Sequence, residues 1–165
     1  MKLIPFFFLT ATIFGLACTS SSDQRDFESE AYRDPSGITE TDFSGDILST
    51  DPDDWRVSPI YQGLIDIKPP FQNPAQLGSP INFEVQVLGI QGVAGLDVLV
   101  RLNNNRLASI YTSTDNPLEP GITTFRIDPI TLSQDGSDNL ALGLHRVYFF
   151  DFDGRLISYG DIEVE

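Results

Sequence analysis

Ile81-Asn82-Phe83-Glu84-Val85-Gln86-Val87 decides the fold, because apolar and polar residues alternate along it without a break. A period of two sends Ile81, Phe83, Val85 and Val87 to one face of an extended chain and Asn82, Glu84 and Gln86 to the other, as in a half-buried β-strand. Leu96-Asp97-Val98-Leu99-Val100-Arg101-Leu102 alternates in the same way. Asn103-Asn104-Asn105 follows, and asparagine tolerates the left-handed backbone of a tight turn, so a hairpin returning through Arg106 to Thr112 is expected. Thr123 to Ile127 and Leu144 to Phe150 read as further strands. Asp153-Gly154 reads as the turn before Arg155 to Ser158 and Asp161 to Val164, and Leu64 to Ile67 adds one more strand. No segment carries a helical stripe of ten or more residues. The expected class is therefore all-β, an immunoglobulin-like β-sandwich preceded by a signal peptide and a disordered tether.

The chain upstream divides into three parts. Phe43 to Leu48 and Trp55 to Tyr61 are short apolar stretches broken by Asp51-Pro52-Asp53-Asp54 and Pro59, so residues 43–67 are expected to form an N-terminal arm or edge strands ahead of a sandwich at 68–165. Residues 18–42 hold scattered single aromatics among Ser, Asp and Glu with no sustained period, too little apolar surface to offset ordering entropy; they are expected to be a flexible acidic tether. Ahead of them, Lys2 precedes an uncharged apolar run from Leu3 to Ala17, about 15 residues against the ~20 needed to span hydrocarbon. Residues 1–17 accordingly read as a cleaved signal peptide.

Gly15-Leu16-Ala17-Cys18 resembles the lipobox of bacterial lipoproteins, and Cys18 is the only cysteine in the chain. The resemblance implies cleavage before Cys18, lipidation of its sulfur and attachment to the membrane through that lipid. Thr19, in place of Asp, implies the outer membrane, with the periplasmic or surface face left open. From Lys68 onward the chain also resembles the immunoglobulin-like modules of type IX secretion sorting domains and flagellar hook-capping proteins. The matching residues are Phe71-Gln72-Asn73-Pro74, the alternating strand from Ile81, Val98-Leu99-Val100-Arg101-Leu102, Asn105-Arg106-Leu107-Ala108 and Leu142-Gly143-Leu144-His145-Arg146-Val147-Tyr148-Phe149. Gln72 and Asn105 depart from the proline and glycine of those families, and Tyr159 to Glu165 is acidic where sorting domains end basic. The resemblance implies shared architecture rather than a shared sorting role.

Composition narrows the function. A formal charge of -14 repels nucleic acid and anionic lipid headgroups alike, so nucleic acid is excluded as a partner and a membrane association has to be covalent or inserted. No nucleotide-binding loop occurs, and no cofactor is implied. His145 is the sole histidine and stands in an expected strand with no catalytic spacing around it. Carboxylates cluster at Asp51, Asp53 and Asp54, at Asp135 and Asp138, and at Asp151 and Asp153. Asp51, Asp53, Asp135 and Asp138 are weak calcium candidates beside ordinary turn chemistry, since loop carboxylates suit a hard cation. Trp55 and Tyr61 are possible binding aromatics if a sheet face exposes them. The expected function is a non-enzymatic envelope lipoprotein that binds another envelope protein. A carbohydrate-binding module and a small envelope hydrolase are the alternatives.

Overall fold

The computed structural model describes residues 19–133 and 135–165; the leader at 1–17 and Cys18 lie outside the described residues. A helix, α1 (Thr19–Ala31), is followed by a small hairpin of β1 (Glu40–Thr41) and β2 (Ile47–Ser49) and a 3-10 turn at Pro59–Tyr61. Seven strands come next: β3 (Ile65–Ile67), β4 (Ile81–Val87), β5 (Asp97–Arg101), β6 (Leu107–Thr112), β7 (Gly121–Ile127), β8 (Gly143–Phe150) and β9 (Leu156–Val164). A four-residue helix, α2 (Asp138–Ala141), precedes β8.

The seven strands form two antiparallel sheets, β3-β4-β7 and β6-β5-β8-β9. The chain crosses between the sheets after β4, β6 and β7 and forms hairpins within one sheet at β5–β6 and β8–β9, the three-plus-four arrangement of an immunoglobulin-like sandwich. In β4 the burial alternates residue by residue as the sequence does. Its register sets Phe83 opposite Phe125 in β7, where the two rings stack at 5.1 Å, and Tyr111 of β6 stacks on Phe125 at 3.8 Å. Trp55 approaches Phe83 and Phe149 edge-on at 6.4 and 6.2 Å, which closes the core where the sheets meet. The Asn-rich turn forms as expected, with Asn105 left-handed at φ 60°.

Two expectations are corrected. Residues 19–31 are not part of a disordered tether but the helix α1, which lies on the outer face of β8 and β9. Its sequence places Phe27 and Ala31 one turn apart on a single face, and both are buried against Tyr148, Leu156 and Tyr159. Arg155 to Ser158 and Asp161 to Val164 are not two strands, because β9 runs unbroken through Tyr159-Gly160. Gly160 permits this: a Cβ there would collide with the Trp55 ring. Trp55 to Tyr61, expected to belong to an arm or edge strands, carries no strand of its own. It is a segment that bonds along the β9 edge and then winds into the 3-10 turn.

Candidate functional site

Two edges of the four-stranded sheet have opposite fates. At β9 the chain covers its own edge: Trp55 N–H donates to Tyr159 O and Ser58 N–H to Ile157 O, both at 2.8 Å, and Ala75 N–H donates to Glu163 O at 2.8 Å. At β6 nothing covers the edge among the described residues. Leu102 N–H donates to Arg106 O at 2.9 Å, and alternation along the β5–β6 register from that bond turns the N–H and C=O groups of Leu107 and Ser109 away from β5. Natural edges are usually blunted by charge, proline or a bulge. Strand β6 has an irregular register near Ile110 but no charged residue and no proline.

Beside this edge the outer face of the sheet is open. The segment after α1 crosses β5, where Arg101 donates to Tyr32 O and Asp34 Oδ1 at 3.0 Å each, and the Tyr32 ring stacks on Tyr148 at 5.5 Å. The remaining face forms a groove of about 490 Å³ lined by Tyr32, Asp97, Leu99, Leu107, Phe150 and Phe152. Tyr32 is 52% exposed and Phe152 41%. Asp97 Oδ1 accepts hydrogen bonds from Ser109 Oγ at 2.7 Å and Thr112 Oγ1 at 2.9 Å, so a carboxylate and two hydroxyls stand between the apolar walls and the free edge.

The covered half of the same face is held by a buried polar junction. The Arg146 guanidinium meets the Asp161 carboxylate through two 2.7 Å bonds, with both side chains almost wholly buried. Arg146 also donates to the carbonyls of Glu30, Ala31 and Arg33 at 3.3 Å, satisfying backbone acceptors at the end of α1 with a cation, the charge favoured there. Burial acts to lower the Arg146 pKa, yet the Asp161 carboxylate holds it above its ordinary value. Asp54 accepts from Thr39 N–H at 2.7 Å and from Asp161 N–H at 2.9 Å. Its own burial, and then the nearby Asp161 carboxylate, push the Asp54 carboxyl up to about 7. Asn73 completes the junction by donating to Thr39 O and Asp161 O at 3.0 Å.

The residues singled out in the sequence are dispersed. Trp55 and Tyr61 are 5% and 7% exposed and so cannot serve as binding aromatics: Trp55 fills the core, and Tyr61 O–H donates to the buried Asp151 carboxylate. Asp51 and Asp53 interact with each other, a side-chain hydrogen bond raising the Asp51 carboxyl and lowering that of Asp53, while Asp51 Oδ1 accepts from Asp53 N–H at 3.3 Å. Asp135 is exposed and accepts from Ser137 N–H at 3.0 Å, a local turn bond, and Asp138 begins α2. Among the described residues no three His, Cys, Asp or Glu side chains converge as metal ligands. The buried His145 ring places Nε2 2.8 Å from Ala141 O, and burial draws its pKa below the usual histidine value. Asp151 ends the same strand roughly 20 Å away at ~3.4 Å per residue, so His145 and the third carboxylate pair do not share a pocket. Among the described residues no helix is long and apolar enough to cross a membrane.

Tyr32, Asp97 and the Arg146–Asp161 pair were not singled out from the sequence. Continuous apolar character in Val147-Tyr148-Phe149-Phe150 was the available signal, since a strand buried on both faces needs a covering element.

No family model and no curated protein matches the chain. Solved structures match at low similarity. They include a Jonesia denitrificans lytic polysaccharide monooxygenase at 11% identity, covering 57% of this chain and 58% of that one, with TM-score 0.34. A Streptomyces lividans AA10 lytic polysaccharide monooxygenase matches at 14% identity, covering 55% and 57%, with TM-score 0.35. The CARDB domain of the PF1109 protein from Pyrococcus furiosus matches at 22%, covering 61% and 89%, with TM-score 0.33. The chain thus spans little more than half the length of the two monooxygenases. The described chain is an immunoglobulin-like β-sandwich with a docked N-terminal helix.

Proposed function

We propose that the chain is a lipid-anchored, non-enzymatic protein of the cell envelope, held at the outer membrane through Cys18, whose sandwich binds a partner protein by strand addition at β6. The free β6 edge carries this reading: β9, in the same sheet, is covered by the chain itself, whereas β6 is left with outward backbone groups. Backbone bonds would supply affinity there, and the groove from Leu107 to Phe152 would receive alternate side chains of the added strand. A hydrolytic role has no support from His145, whose ring is engaged with a backbone carbonyl inside the fold.

The test is in-cell crosslinking of a tagged chain, with Cys18→Ala as the mislocalised control and Ser109→Pro as the edge variant. Proline at an edge is tolerated but removes an outward N–H. The expected result is a stoichiometric envelope partner that is lost in both variants while Ser109→Pro keeps its fold by circular dichroism. A partner retained by Ser109→Pro refutes recognition at β6. A second reading, carbohydrate binding, is favoured by the exposed Tyr32 and Phe152 rings flanking Asp97. Glycan binding abolished by Tyr32→Ala would select it.

A further inference from the structure

One end of the sandwich carries exposed apolar side chains on two stretches of chain that hold no charged residue. Ile90 is 97% exposed and Leu88 51%, and beside them Ile60 and Leu64 are also exposed. They form one patch, since Leu88 N–H donates to Leu64 O at 2.8 Å and Leu64 N–H to Tyr61 O at 2.9 Å. Residues 57–65 and 85–96, which carry these side chains, contain no Asp, Glu, Lys or Arg in a chain where 34 of 165 residues are charged, 24 acidic and 10 basic; the charges at this end stand on the neighbouring turns, Asp115 and Glu119 around Leu118 and Asp153 and Arg155 after Phe152. Exposed aliphatics that lead the tip, with charges held to the flanking turns, suit a lipid interface, where an apolar face is buried below a polar rim.

The path of α1 says what covers the tip. Phe27 packs on Tyr159 at 5.2 Å, and the carbonyls of Glu30 and Ala31 meet Arg146 opposite Asp161, so the helix runs parallel to β9 and antiparallel to β8, and its start points toward the β8–β9 turn. From Phe27 back to Thr19 is about 12 Å at 1.5 Å per residue, and from Tyr159 back to the start of β9 about 10 Å. Thr19 therefore stands level with the Leu88-Ile90 tip, and Cys18 is the next residue. Another exposed apolar cluster, Phe43, Ile47 and Leu48, is interleaved with Asp42 and Asp46. It belongs to the β1–β2 hairpin, which is tied through Thr41 and Asn73 to the opposite end of the sandwich.

We propose that the Ile60, Leu64, Leu88 and Ile90 tip inserts into the lipid surface beside the acyl chains on Cys18, a second contact that fixes the orientation of the sandwich on the membrane. This rests on the lipoprotein reading above. Aliphatic insertion needs no anionic headgroup, which agrees with the acidic chain. With the tip down, β6 stands along the side of the domain and remains open to a partner.

The test uses the mature acylated chain carrying Ile90→Cys or Leu142→Cys, the latter at an exposed site on the opposite end, in zwitterionic phosphatidylcholine vesicles. Mass spectrometry first establishes acylation of Cys18, which leaves one free thiol per variant. A charged, membrane-impermeant maleimide then reads access, with non-acylated Cys18→Ser versions of both variants in buffer as the reference. Labelling of Ile90→Cys is expected to slow at least about tenfold on vesicles, the population ratio that one inserted isoleucine would set, while Leu142→Cys labels as in buffer. Equal rates at both positions, or slowing at both, overturn the insertion while acylation stands. Absence of the acyl group removes the underlying reading and the proposal with it.

Discussion

Replacing Asp161 by Ala tests whether the buried junction holds α1 on the sheet. The substitution leaves the Arg146 guanidinium almost fully buried without its carboxylate, and removing one partner of such a pair costs about 3–5 kcal/mol. It also removes an acceptor for Ser36 N–H at 3.2 Å, so the upper part of that range is expected. Unfolding entropy of about 2.1 cal/mol/K per residue over residues 19–165 makes 1 kcal/mol equivalent to roughly 3 °C, giving a fall in Tm of about 12–15 °C. The assay is urea and thermal unfolding of residues 19–165 followed by far-ultraviolet circular dichroism. The double variant Arg146→Met/Asp161→Leu is expected to recover about half or more of the loss, because apolar replacement of a whole buried pair avoids the stranded charge. A loss under about 1 kcal/mol for Asp161→Ala, as an exposed pair would show, refutes the assignment of the junction as the clamp on α1.

Two further outcomes follow from the same region. Asp54 has a folded-state pKa of about 7 against an ordinary 3.8, so the folded chain holds this proton more tightly than the unfolded one. Its contribution is fully present below about pH 4 and is lost as pH rises through about 7, by up to roughly 4 kcal/mol. Unfolding free energies measured from pH 4.5 to 8 should show wild type losing stability relative to Asp54→Asn as pH rises; a constant offset between the two would exclude the shift. Phe27→Ala removes the ring that packs on Tyr159, and loss of a buried phenylalanine costs about 3–5 kcal/mol. Because the core strands do not depend on that ring, release of α1 before global unfolding is expected, seen as faster tryptic cleavage within residues 25–33 at unchanged β-sheet signal. Unchanged cleavage would mean that α1 is held by Arg146 alone.

The sandwich was legible because its strands write their burial locally. Alternation in Ile81 to Val87 needs no knowledge of the rest of the chain, and the Asn103–Asn105 turn carries its own backbone chemistry. The helix was not legible for the opposite reason. Only Phe27 and Ala31 of α1 are apolar and buried, and what holds them lies more than a hundred residues away in Tyr148, Tyr159 and Arg146. Tertiary packing overrode a weak local signal. The junction was hidden for a related reason: Asp54 and Asp161 read as two more carboxylates in an acidic chain, and only the fold makes one of them a partner of Arg146 and the other a neighbour of that pair. The groove was missed because its rings are not the sole tryptophan and its neighbour in sequence; Tyr32 reaches the sheet through α1.

The arrangement of α1 against β8 and β9 imposes an order of events on synthesis. The helix α1 docks on a platform built from β8 and β9, so it cannot lock in place until residues 143–164 have been made and paired. Contacts of such sequence separation form slowly, so the docking of α1 is a late event in folding. The closing step then seals Phe27 and Ala31 over Tyr148, Leu156 and Tyr159 in one docking event.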